Sequence, residues 1–161
     1  SGSMGYGVPA AVAAKIVHSN RIVVSFNGDG DFLMCGQEIA TARQYNLAIV
    51  FIVINNGTYG TIRMHQERDF PGRQSGTGLT NPDFAAYADS FGVPGWTVER
   101  TEDFAAALRE ALAVDGQDSI SRFQATVGAR CGGVGQDVGH HEAIPGRGRF
   151  EADPEVTRRR R

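Results

Sequence analysis

Two apolar runs, Ile22-Val23-Val24-Ser25-Phe26 and Ala48-Ile49-Val50-Phe51-Ile52-Val53-Ile54, carry no polar face. Short β-branched runs of this kind predict strands covered on both sides, as in a parallel sheet. Roughly 20 residues lie between them, enough for one crossover, and the Ile39, Ala40, Ala42, Arg43 spacing within Gln37 to Gln44 predicts its helix. Val8 to Val17 is an alanine-rich stretch entered through Pro9, a helix with proline in its first turn. Pro82 to Phe91 is a further helix with Asn81 as N-cap. Glu102 to Val114 is another, capped by Thr101, with Phe104, Ala107, Leu108, Ala111 and Leu112 along one face. Trp96-Thr97-Val98 makes a third strand. The expected fold is α/β, a doubly wound, mostly parallel sheet with helices on both faces.

The pattern stops near residue 114. Of the 47 residues from Asp115 onward, only 8 are Leu, Ile, Val, Phe, Met, Trp or Tyr, and 8 are glycine. So sparse a segment is expected to form a disordered tail, ending in Arg158 to Arg161. The expected organisation is therefore a domain over residues 1–114 and a low-complexity tail over 115–161. Three strands fall short of the about four to six of a typical sheet, and the chain opens on a glycine-rich turn with no strand before it. Both edges look incomplete, and a fragment of a larger protein is expected.

Charge narrows the function. The 161 residues hold 16 Lys and Arg against 18 Asp and Glu, a net charge of -2, so no global basic field draws the chain to nucleic acid or an anionic membrane. Cys35 and Cys131 sit in no CxxC pair and suit a reducing compartment. No apolar run approaches a membrane span of ~18 residues, and no signal-peptide pattern opens the chain. A cytoplasmic location is expected.

The chemistry gathers where strands end. The first strand leads into Asn27-Gly28-Asp29-Gly30-Asp31 and the second into Asn55-Asn56-Gly57-Thr58-Tyr59-Gly60. In a parallel unit both segments leave the carboxyl edge, where open α/β sheets bind ligands. Gly28 and Gly30 let backbone approach a bulky anion, Asp29 offers a carboxylate and Asn56 an amide oxygen. Hard oxygens of this type suit magnesium, which takes about six in octahedral array, phosphate oxygens and waters among them. Each segment alone is an ordinary turn sequence; the pairing and its interval carry the signal.

Those residues resemble a known family. Gly28-Asp29-Gly30, with Asn56 27 positions after Asp29, is similar to the GDG…NN motif of thiamine-diphosphate-dependent enzymes. Gly2-Ser3-Met4-Gly5-Tyr6-Gly7-Val8-Pro9-Ala10-Ala11, with Met4 25 residues before Asp29, resembles the entrance of acetolactate-synthase-like members, as do Phe70-Pro71-Gly72-Arg73 and Asn81-Pro82-Asp83-Phe84. The match covers roughly residues 1 to 113 and points to the C-terminal, diphosphate-binding domain.

The resemblance implies the following roles. Asp29, the Asn56 side chain and the Thr58 carbonyl would hold Mg2+. Gly28 lies in the cofactor turn, and Gly30 and Asp31 would offer backbone N–H groups to the diphosphate, although the family usually carries a small hydroxyl residue where this chain has Asp31. Met4 would wedge the bent cofactor, a role suited to an unbranched, polarizable side chain, and the Gly2 carbonyl would accept from the aminopyrimidine. The glutamate that activates the cofactor lies in a separate pyrimidine-binding domain, of the same or a second subunit in a homo-oligomer. This chain resembles no part of that domain, so by itself it is expected to be inactive. The implied function is decarboxylation or carboligation of 2-oxo acids within a full-length protein, with a truncated, non-catalytic pseudo-enzyme or binding module as the alternative. A flavodoxin-like nucleotide binder would use the same edge without thiamine dependence.

The family's closing strand after the last helix is absent from the pattern here; Asp153-Pro154-Glu155 faintly resembles the segment that should follow it. His65, Glu38, Arg63, Arg68 and Arg73 are read as surface or capping groups, and Cys131 with His140, His141 and Glu142 as no metal site.

Overall fold

The computed structural model describes residues 2–113 and 122–127. The described elements lie in one compact unit, Ser1–Cys131. They run α1 (Gly7–Val17), β1 (Val23–Gly28), α2 (Asp29–Cys35), a 3-10 turn (Gly36–Glu38), α3 (Ile39–Gln44), β2 (Ile49–Ile54), α4 (Gly60–Asp69), α5 (Phe84–Asp89), β3 (Gly95–Val98), α6 (Thr101–Leu112) and β4 (Arg122–Val127). The four strands form one sheet in the order β1-β2-β4-β3, every neighbouring pair parallel.

Strand β2 is the spine of the core, for its alternation serves both faces. Ile49, Phe51 and Val53 pack with Val8, Ala11 and Val12 of α1, Phe32 of α2, Ile39 and Ala42 of α3, and Phe84 and Ala88 of α5. Val50 and Ile52 face the other way, onto Ala111, Phe104 and Leu108 of α6, with Trp96 alongside. Helices on both faces are what the unbroken apolar run predicts. Phe32 anchors the larger cluster, edge-on to Phe84 at 5.5 Å and to Tyr87 at 5.9 Å between ring centroids.

Strand β1 departs from the expected double burial. Among the described strands it pairs with β2 alone. Ser25 and Asn27 face α1 and are buried, hydrogen-bonded to each other, while Val24 is 37% and Phe26 67% exposed. The inversion has a steric cause at Gly7, where a Cβ would lie 2.1 Å from the Asn27 Oδ1. Close approach of α1 thus buries two small polar side chains, and α6 reaches β2 without covering the opposite face of β1.

Four local expectations also change. Asn27 and Gly28 finish β1, and Asp29 to Asp31 already form the first turn of α2, so the GDG segment is a strand-to-helix junction and no loop. Asp29 and Asp31 favour that start by sitting at the positive end of the helix. The single crossover helix becomes α2, the 3-10 turn and α3 in succession. Helix α5 is capped by the Asp83 carboxylate, which accepts from the Ala86 N–H at 3.0 Å, and Asn81 is engaged elsewhere. Thr101 lies inside α6, whose N-cap position is Arg100 with no side-chain cap.

The largest correction concerns the end of the chain. A strand does follow α6: β4 runs from Arg122 to Val127 and lies between β2 and β3. Low apolar content over residues 115–161 concealed it, although Arg122 to Val127 alternates polar and apolar positions as a strand does. The rest of the expected tail, residues 114–121 and 128–161, falls outside the described residues, as does the discounted cluster of Cys131, His140, His141 and Glu142.

Candidate functional site

Strands β1 and β2 run in register to their last residues, Gly28 opposite Ile54. The segments after them therefore leave the sheet side by side at its carboxyl rim, as the spacing of Asp29 and Asn56 predicts. The Asp29 Oδ2 accepts from the Gly57 N–H at 2.7 Å, a direct bond between the two motifs. The Asp29 Oδ1 accepts from the Gly30 N–H at 2.9 Å.

A third segment, absent from the sequence reading of the site, completes the rim. The Asn81 Nδ2 donates both to the Asp29 Oδ2, at 2.6 Å, and to the Asn55 Oδ1, at 2.7 Å. Residues Thr77 to Asn81 lie across the loop after β2: Tyr59 N–H and the Thr58 hydroxyl both donate to the Thr77 carbonyl, and Leu79 N–H donates to the Gly57 carbonyl. Thr58 and Gly78 form an antiparallel bridge. Nothing in the spacing pointed to this strap, since its partners are 19 and 52 residues away in sequence.

Burial makes the electrostatics unusual. Asp29 is 2% exposed, yet its three hydrogen-bond donors, Gly30 N–H, Gly57 N–H and the Asn81 amide, are all neutral. Among the described residues no ion pair includes it. A buried carboxylate without a cation is costly, and its oxygens retain an unused lone pair. Asn56 is exposed at the mouth of the rim, its Oδ1 accepting from the Thr58 N–H at 3.1 Å with one lone pair free. The rim thus offers hard oxygens to a hard cation. Among the described residues no three His, Cys, Asp or Glu side chains gather into a metal site, at the rim or elsewhere.

The remaining expected residues fall around this rim. Gly30 is buried, and a Cβ there would lie 2.3 Å from the Tyr59 ring and 3.2 Å from Leu79, so close packing of the loop after β2 and the segment after it favours glycine. The Asp31 carboxylate accepts from the Gly5 N–H at 2.6 Å, tying the entrance turn that holds Gly2 and Met4 to the start of α2. Met4 is 40% exposed, and Gly28 and Gly2 are also exposed. His65 is exposed on α4. Arg63 and Arg68 pair with Glu67 and Asp69, Arg73 lies over Phe70, and Glu38 accepts from the Thr41 hydroxyl.

Comparison with known proteins identifies the family. Residues 1–120 match the family described as thiamine pyrophosphate enzyme, C-terminal TPP binding domain. The chain is 40% identical over 116 residues to the acetolactate synthase isozyme 2 large subunit of Escherichia coli (strain K12), covering 71% of this chain and 21% of that protein. It is 37% identical over 113 residues to the acetolactate synthase large subunit of Pyropia yezoensis, covering 69% and 19%. Among solved structures, the thiamine diphosphate-dependent 4-hydroxybenzoylformate decarboxylase of Rhodococcus jostii RHA1 superposes with a TM-score of 0.69 at 33% identity, over 76% of this chain and 22% of that one. The chain therefore spans about a fifth of the length of these relatives. No described helix is long and apolar enough to cross a membrane.

Proposed function

The chain belongs to the thiamine pyrophosphate enzymes, as their C-terminal cofactor-binding domain, and from that premise we propose that its carboxyl rim anchors the diphosphate of thiamine diphosphate through Mg2+. One observation carries the reading: a carboxylate, Asp29, buried among neutral donors only. Magnesium supplies the missing positive charge and accepts the hard oxygens on offer. Asp29, the Asn56 side chain and the Thr58 carbonyl are its protein ligands. Asp31 presents its main-chain N–H at the start of α2 to the diphosphate beside Gly28, whereas the Gly30 N–H, expected to do the same, is taken by the Asp29 Oδ1. Met4 and the Gly2 carbonyl belong to the thiazolium and aminopyrimidine end.

The buried Asp29 supports this assignment because its orientation is already set by three donors before any ligand arrives, which lowers the cost of binding. When bound, thiamine diphosphate supplies the nucleophilic carbon and electron sink for decarboxylating a 2-oxo acid. The protein's part is placement. By likeness to acetolactate synthases, the whole enzyme is a 2-oxo acid decarboxylase or carboligase, and a pyrimidine-binding domain from the same or a second subunit, in a homo-oligomer, completes the site. This chain alone binds without turning over.

Calorimetric titration of the chain with thiamine diphosphate, with and without Mg2+, tests the reading against Asp29→Ala. Binding is expected only with the metal and only in the unsubstituted chain. Metal-independent binding, or affinity that survives the substitution, overturns it.

A further inference from the structure

The Asn81 side chain touches both strand-end motifs, through Asp29 Oδ2 and Asn55 Oδ1. Its NH2 group faces these two side-chain oxygens and donates to both. The Asn81 Oδ1 then turns the other way, where it is buried and receives no hydrogen bond among the described residues. Buried acceptors are ordinarily satisfied, so this oxygen marks a site completed by a bound group that brings a donor.

We infer that Asn81 is a positioning residue for the metal: it orients the Asp29 carboxylate and locks the loop after β2 to it, without being a ligand. The inference rests on the magnesium-anchoring reading above. Asn81 reaches both motifs from the strap, which also holds Thr58 through the Thr77 carbonyl. Two of the assigned ligands are thereby set by one segment. Partners of this kind alter metal affinity about 10- to 100-fold when removed.

The test measures the Mg2+ concentration that gives half-maximal thiamine diphosphate binding to the chain, together with its thermal midpoint without ligand. Asn81→Leu and the milder Asn81→Ser are compared with Asp83→Ala, which removes the cap of α5 two residues away and touches neither Asp29 nor Asn55. A rise of about tenfold or more in half-saturating Mg2+ for the Asn81 variants, with binding recovered at saturating Mg2+ and no such rise for Asp83→Ala, is the expected result. Should Asn81→Leu not fold, Asn81→Ser against Asp83→Ala decides at comparable thermal midpoints. An unchanged Mg2+ requirement in a folded Asn81 variant, or an equal rise in Asp83→Ala, overturns the inference while leaving the anchoring reading intact. Absence of Mg2+-dependent binding in the unsubstituted chain overturns both.

Discussion

The Asp31 carboxylate receives the Gly5 N–H at 2.6 Å across 26 residues of sequence. The residue that looked least suited to a diphosphate site, a second acid beside Asp29, thus has its side chain committed to the entrance turn. Only its main chain is left for the diphosphate. Asp31→Asn keeps an acceptor oxygen and should bind thiamine diphosphate with Mg2+ about as the unsubstituted chain does. Asp31→Ala should lose about 1.5–3 kcal/mol in denaturant unfolding, the worth of a hydrogen bond to a charged acceptor.

Gly30 faces two demands, and a double substitution separates them. A Cβ there meets the Tyr59 ring, so Gly30→Ala should destabilise the chain by about 1–3 kcal/mol through overpacking. In the background of Tyr59→Ala the same change should cost clearly less, a coupling read from four denaturation curves. If cofactor binding stays weak in the double variant, the missing side chain also matters to the ligand.

The outer face of β1 sets a third expectation. Ile22, Val24 and Phe26 are exposed along it, an apolar edge of the kind that invites association. Phe26→Lys should leave unfolding free energy within about 0.5 kcal/mol and slow the growth of light scattering at high protein concentration. A large loss of stability would mean that this face is covered in the folded chain.

Alkaline pH probes the aromatic cluster. Burial raises the Tyr87 phenol above its ordinary range, so the folded chain disfavours the phenolate. The resulting stabilisation is complete below the unfolded value of about 10 and fades as pH climbs through the higher folded value. Tyr87→Phe should flatten that decline, seen as a thermal midpoint that falls less between pH 9 and pH 11.

Truncation tests the strand that the pattern did not reveal. A chain of residues 1–113 lacks β4, leaving β3 without its one sheet partner and β2 with an open edge. It should unfold without cooperativity in urea, whereas a chain extending past Val127 should show a single transition.

Much of this was legible in the residues. The apolar run of β2 gave its strand and its double-sided core, and the 27-residue interval from Asp29 to Asn56 placed both at one rim, joined through Gly57. What escaped was tertiary. Phe26 looks like a core residue until the sheet order makes β1 an edge. Asn81 looks like a helix cap because Asn favours that position, and only the fold shows Asp83 taking the cap while Asn81 reaches Asp29. The β4 strand escaped because the sparse apolar content of the whole segment from Asp115 outweighed the polar-apolar alternation of Arg122 to Val127, and its position between β2 and β3 comes from main-chain pairing.

That placement bears on biosynthesis. Of the described strands, the one emerging last from a ribosome must slip between two made earlier, so β2 and β3 have to remain apart, with adjoining backbone exposed, until residue 127 is free of the exit tunnel. Nascent chains stalled before that point should be good chaperone clients, and those released beyond it poor ones.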